Sequence, residues 1–126
     1  MATSAIGGPV TELILTCVTP ADGEVSIAKG DAVALTGDYE VAHADSADDP
    51  IFGQALADAN SNSEGVPVKV RGVCVFTYTG IAPTVDGVSG VTASATAGAV
   101  QAPDENDGVG IVLAVDEAKN EVHVLI

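Results

Sequence analysis

Apolar and polar side chains alternate most regularly over residues 66–79, Val-Pro-Val-Lys-Val-Arg-Gly-Val-Cys-Val-Phe-Thr-Tyr-Thr. Val66, Val68, Val70, Cys74, Phe76 and Tyr78 fall on one face, and Pro67, Lys69, Arg71, Thr77 and Thr79 on the other. A period of two predicts a strand with one buried face. The β-branched residues lower helix propensity further. Gly72 interrupts the buried face and predicts a bulge or bend. Beyond it Val73 and Val75 make the second face apolar as well, so this half is expected to be covered on both sides.

The same alternation marks residues 11–19, with Leu13, Leu15 and Cys17 on one face and Ile14 and Val18 on the other, and residues 109–126. Pro20-Ala21-Asp22-Gly23 is a turn sequence. Residues 32–42, folded about Thr36-Gly37-Asp38, predict a small hairpin. A further short apolar run spans 51–57. No segment repeats apolar residues every 3.6 positions over three turns, so at most one short helix is expected. The weak candidates are 51–59 and 93–99, the latter half a helical turn or a loop. The chain therefore predicts a mainly β fold, a compact β-barrel or β-sandwich. Residues 1–10, small and Gly-rich, read as a flexible N-terminal arm, and residues 11–126 as a single β domain.

Some words recur. Gly53-Gln54-Ala55-Leu56-Ala57 is echoed by Gly110-Ile111-Val112-Leu113-Ala114, and Val66-Pro67-Val68-Lys69-Val70 by Val122-His123-Val124-Leu125-Ile126. An acidic loop precedes each pair, residues 45–49 and 104–107, and Gly30 and Gly87 lie upstream of Val33 and Val91. This order suggests two similar β units, 25–80 and 81–126. Chance in a chain so rich in Val, Ala and Gly is the alternative.

Composition narrows the picture. The 126 residues are 47% apolar but only 3% aromatic, so the core must be aliphatic. A net charge of −14 argues against nucleic acid, whose binding needs cations to neutralise phosphates, and against an anionic membrane surface. No apolar run approaches the roughly 20 residues of a membrane helix, and no secretory signal is read, which points to synthesis in a cytoplasm. Cys17 and Cys74 sit among Val and Leu and are expected to be reduced and buried. Asp45, Asp48 and Asp49, and Asp104, Glu105 and Asp107, lack the spacing of a calcium loop. His43 and His123 lack clustered partner ligands. No nucleophile elbow and no phosphate loop is present. Neither metal, cofactor nor enzymatic activity is expected.

The order of Val25 to Leu35 (Val-Ser-Ile-Ala-Lys-Gly-Asp-Ala-Val-Ala-Leu), then Tyr39-Glu40-Val41, then Phe52-Gly53-Gln54-Ala55, then Val68-Lys69-Val70-Arg71-Gly72 resembles the small capsid cement, or decoration, proteins of tailed bacteriophages. The likeness runs over about 25–75 and more faintly to 126. It implies a structural virion protein on the outer capsid surface, bound to the major capsid protein as a homotrimer and stabilising the head against packaged DNA. With that role, the expected capsid-binding residues are Thr3, Ser4, Ile6, Pro9 and Val10 of the arm, which would order on a partner, together with Lys69 and Arg71. The alternative is an acidic secreted or cell-surface β module, with calcium in its acidic loops.

Overall fold

A computed structural model describes residues 11–126. Ten strands follow one another: β1 (Leu13–Val18), β2 (Ala32–Gly37), β3 (Glu40–Ala42), β4 (Gly53–Ala55), β5 (Gly65–Arg71), β6 (Val73–Thr77), β7 (Thr92–Ala93), β8 (Val100–Gln101), β9 (Ile111–Asp116) and β10 (Glu121–Leu125). No helix occurs among the described residues, so the fold is all-β, as the alternation predicts. Both weak helical candidates are extended segments and turns. Each is shorter than the 12 or so residues that an isolated helix needs, and strand partners lie on either side.

The longest alternating run is not one strand. Gly72 has φ of 127°, a value that favours glycine, and there β5 ends and β6 enters a different sheet. On β5 the even residues Val66, Val68 and Val70 are buried, and on β6 Cys74 and Phe76. The odd face of β6 is not covered as expected. Val75 is exposed, because only the even side of this strand faces a core. Apolar identity on both faces does not by itself supply a second layer to cover them.

The first five strands close a barrel in the order β1-β3-β2-β4-β5. The last five echo that order as a more open barrel of two sheets. A β6-β10-β9 sheet and a β7-β8 pair are joined by a parallel bridge, Tyr78↔Val100, and an antiparallel one, Val91↔Val109. Around this ring β6 stands where β1 stands, and β10 where β5 stands. The two ladders made by the closing strand match residue by residue, β1–β5 with β6–β10 and β4–β5 with β9–β10. Gln54↔Lys69 and Ala55↔Val68 recur as Ile111↔Leu125 and Val112↔Val124. The single parallel contact that closes the first barrel, Val18↔Glu40, has a parallel counterpart displaced by one residue, Tyr78↔Val100. In this pairing the turnover between units falls at Gly72, not between residues 80 and 81, and β6 is the opening strand of the second unit.

Each barrel has its own aliphatic core. Cys17, Ile27, Val33, Val41, Ala55, Ala59, Val66, Val68 and Val70 fill the first. Cys74, Phe76, Tyr78, Val91, Val100, Val112, Val122 and Val124 fill the second, which Ala32 and Ile51 join from the first unit. The repeated glycine has one cause in both. A Cβ on Gly53 would lie 2.4 Å from the Lys69 carbonyl oxygen, and one on Gly110 would lie 2.6 Å from that of Leu125. The fourth strand of each barrel approaches the fifth too closely for any side chain.

Candidate functional site

Thr3, Ser4, Ile6, Pro9 and Val10 lie outside the described residues. Lys69 and Arg71 come together with the root of that segment, because β1 runs antiparallel to β5 and sets Leu13 opposite Arg71. Lys69 does not project freely as a strand's outward cation would. Its Nζ sits 2.8 Å from Glu12 Oε2 and donates to the Val73 carbonyl at 3.0 Å. It thus ties the chain just before β1 to the first residue of β6, across the turn at Gly72. The alternation places Lys69 outward correctly but gives no sign of Glu12, 57 positions away in sequence, arriving beside it. Arg71 is exposed and donates to its neighbour's carbonyl, that of Val70, at 2.7 Å. Beside it Leu13 is 50% exposed. An aliphatic side chain and a cation, scarce on so acidic a chain, therefore share the end of the molecule where residues 1–10 join.

A second feature lies along the opposite edge of β1. Among the described residues the strand pairs with β5 over its whole length but with β3 only at Val18. Val18 N–H donates to the Tyr39 carbonyl at 2.8 Å. Successive peptide groups alternate in direction along a strand, so Ile14 and Thr16 point their backbone groups the same way, past the end of β3. Pro67, opposite Thr16, has no N–H to offer from the other side. A groove of about 580 Å³ opens between this edge and the β2–β3 hairpin, lined by Leu15, Cys17, Leu35, Tyr39 and Phe52 with Gly37 and Asp38. An unpaired strand edge beside apolar side chains is a surface that other chains add to. Sequence reasoning passed over it because Leu35 and Tyr39 read as hairpin residues, and it is the barrel's closure at a single residue that leaves the edge bare among the described residues.

The acidic loops serve the fold. Asp48, with φ of 70°, accepts the N–H groups of Asp104 (2.9 Å), Glu105 (2.9 Å) and Asn106 (2.8 Å) and the Thr92 hydroxyl (3.0 Å). These donors, led by the Asp104 amide, hold its carboxyl down at about 2. One acidic loop is thus clasped onto the backbone of the other, with its oxygens committed to amides. Among the described residues no three His, Cys, Asp or Glu side chains gather as metal ligands would. His43 Nε2 lies 2.7 Å from Asp31 Oδ2.

Cys17 and Cys74 are free thiols, both buried. Burial raises each pKa, that of Cys74 to about 11. Neither has the thiolate character a nucleophile needs. Among the described residues, then, geometry gathers surfaces for contact: the root of residues 1–10 at Glu12, Leu13, Lys69 and Arg71, and the groove beside β1. Set against known proteins, the chain matches no family model and no curated sequence.

Proposed function

We propose that this chain is a structural virion protein that binds the outer surface of a tailed-phage capsid and stabilises the head, acting by contact and without catalysis. The major capsid protein is its partner, and it sits there as a homotrimer. The observation that carries the reading is the pairing of exposed Leu13 with exposed Arg71 at the root of residues 1–10, together with the order of sequence words shared with decoration proteins. An acidic body repels DNA and its own copies. Attachment through a short segment, one aliphatic side chain and one cation is weak per copy, and a repeating shell multiplies it. The Lys69–Glu12 pair supports the reading by fixing where that segment leaves the barrel.

The test is co-sedimentation of purified protein with undecorated heads, comparing the full chain, a chain lacking residues 1–10, and Arg71→Glu. The full chain is expected to pellet with heads. Removing residues 1–10 should abolish pelleting, and Arg71→Glu should weaken it by roughly tenfold, the effect of about 1.4 kcal/mol. Failure of the full chain to pellet with matched heads rejects the proposal. Equal pelleting of the shortened chain assigns attachment to the barrels.

A further inference from the structure

The edge of β1 beside the groove has a counterpart in the second barrel, and there it is filled. Ile14 and Thr16 face Lys69 and Pro67 across the closing ladder, and Val73 and Val75 face the matching Leu125 and His123. Gly72 and Ile126 exchange backbone bonds, so the even residues of β6 address β10 and the carbonyls of Val73 and Val75 point away from it. Two side-chain donors occupy those carbonyls, the Lys69 ammonium at 3.0 Å and the Gln54 amide at 2.8 Å. The carbonyls of Ile14 and Thr16 hold the same places on β1, where β3 stops short.

The groove beside that edge is apolar except for one acid. Leu15, Cys17 and Phe52 line it from the barrel, and Leu35 and Tyr39 from the hairpin, both exposed, at 53% and 69%. Among the described residues Asp38 is its one charged lining residue, and no Lys or Arg lines it. Tyr39 has φ of 55°, at a turn position that ordinarily goes to glycine, asparagine or aspartate. A bulky ring is thus held exposed against the preference of its own backbone, and such strain collects where a protein makes functional contacts. The ring and the Asp38 carboxylate are adjacent in the chain and share the groove. Together they suit a cation, the carboxylate by its charge and the ring by its π face.

We infer that the β1 edge takes up an extended, basic segment of a partner protein. The segment lies in line with β3, upstream of Glu40, and offers backbone N–H groups to the carbonyls of Ile14 and Thr16. Its alternate side chains are aliphatic and rest on Leu15, Leu35 and Phe52. A lysine or arginine at one end sits against Asp38 and Tyr39. In the second barrel the same edge is satisfied by an ammonium and an amide, and the added segment brings that chemistry to the first. The chain's charge of −14 draws a basic segment and disfavours a second acidic copy at this edge, so rising salt weakens the contact. The inference rests on the first barrel alone. It stands or falls separately from binding to heads.

The experiment selects displayed random peptides on the immobilised full chain. The enriched peptide, synthesised with a fluorescent label, is then measured by anisotropy in low and high salt. Enriched sequences are expected to alternate aliphatic residues and to carry Lys or Arg, and their binding should weaken in high salt. Asp38→Lys and Tyr39→Gly should each weaken binding by about tenfold or more. Asp107→Lys, the same charge change at an exposed loop of the second barrel, should leave it unaltered. Tyr39→Gly should also hold or raise the melting temperature, since glycine takes the left-handed turn freely, whereas loss of a tyrosine with a merely structural role would lower it. N-methylation of alternate backbone amides of the peptide, in one of the two phases, should abolish binding. The inference is overturned if no peptide is enriched on the parent over Asp38→Lys and Tyr39→Gly, if the enriched peptides are neutral or acidic, or if neither substitution weakens them. Binding seen only with a chain lacking residues 1–10 also overturns it and gives the edge to that segment. A dimer in sedimentation velocity that the peptide dissociates overturns it too and gives the edge to a second copy.

Discussion

In the first barrel the residue facing Val66 across the closing ladder is Cys17, and in the second the residue facing Val122 is Phe76. The two positions are equivalent and both are buried, at 3% and 1% exposure, yet one holds a small thiol and the other the largest fully buried side chain among the described residues. The first barrel compensates from the rim. Phe52 and Leu15 pack partly against its core, and the groove opens where they leave off. The second barrel, filled from within, has its edge covered by Gln54 of the first. One strand order thus supports two ways of filling a small barrel, and the less filled one keeps an accessible edge.

The sharpest way to break this comparison is to empty the two centres in turn. Phe76→Ala should cost about 3–5 kcal/mol of stability, within the range for deleting a buried aromatic ring, and Cys17→Ala roughly 1 kcal/mol, typical of a small core change. Equal losses in denaturant unfolding would mean that the positions do not fill their barrels differently. The repeated glycines come next. Gly53→Ala places a Cβ 2.4 Å from a backbone oxygen and should lose about 1–3 kcal/mol by overpacking. Gly110→Ala should lose at least as much, because its φ of 75° adds strain. A neutral result at either would break the equivalence of β4 and β9.

Gln54→Leu should cost about 1–3 kcal/mol, since the carbonyls of Gly30 and Val75 lose their shared donor. Ile111→Ala, on the uncovered counterpart, should stay within about 0.5 kcal/mol in the monomer. The smallest effect is in acid. The folded carboxyl of Asp48 titrates near 2 against an ordinary 3.8, so folding favours its ionised form. The stability it contributes is fully present above about 3.8 and is lost as pH falls through about 2. Protection of the amides of residues 104–106, relative to their intrinsic exchange at each pH, should fall over that window, and Asp48→Ala should show low protection there at neutral pH as well.

Much of this was legible in the chain. Alternation located β1, β5, β6 and β10, and recurring words paired β4 with β9 and β5 with β10, because the close strand approach that requires Gly53 requires Gly110 too. What escaped was the meaning of Gly72. A glycine inside an alternating run reads equally as a bulge within one strand or a break between two, and only the partners of the flanking residues decide it. For the same reason Lys69 and Arg71 read as a matched pair of cations. The partner that separates them, Glu12, arrives through a register that no local pattern encodes. The groove escaped because it is a missing pairing, and a sequence carries no signal for a neighbour that stops short.

The single residue between β5 and β6 also bears on how the molecule is made. Each barrel closes only when its last strand returns to its first, β5 to β1 and β10 to β6, so neither can be completed early. The first has all its strands once Arg71 has left the ribosome, and it can fold before the strands of the second have all emerged, in the N-to-C order by which chains acquire structure during translation. During that interval Gln54 and the backbone at Ala32, Asp48 and Asp49 await partners still to emerge. The nascent first barrel then serves as the template on which β6 and the β7–β8 turn settle.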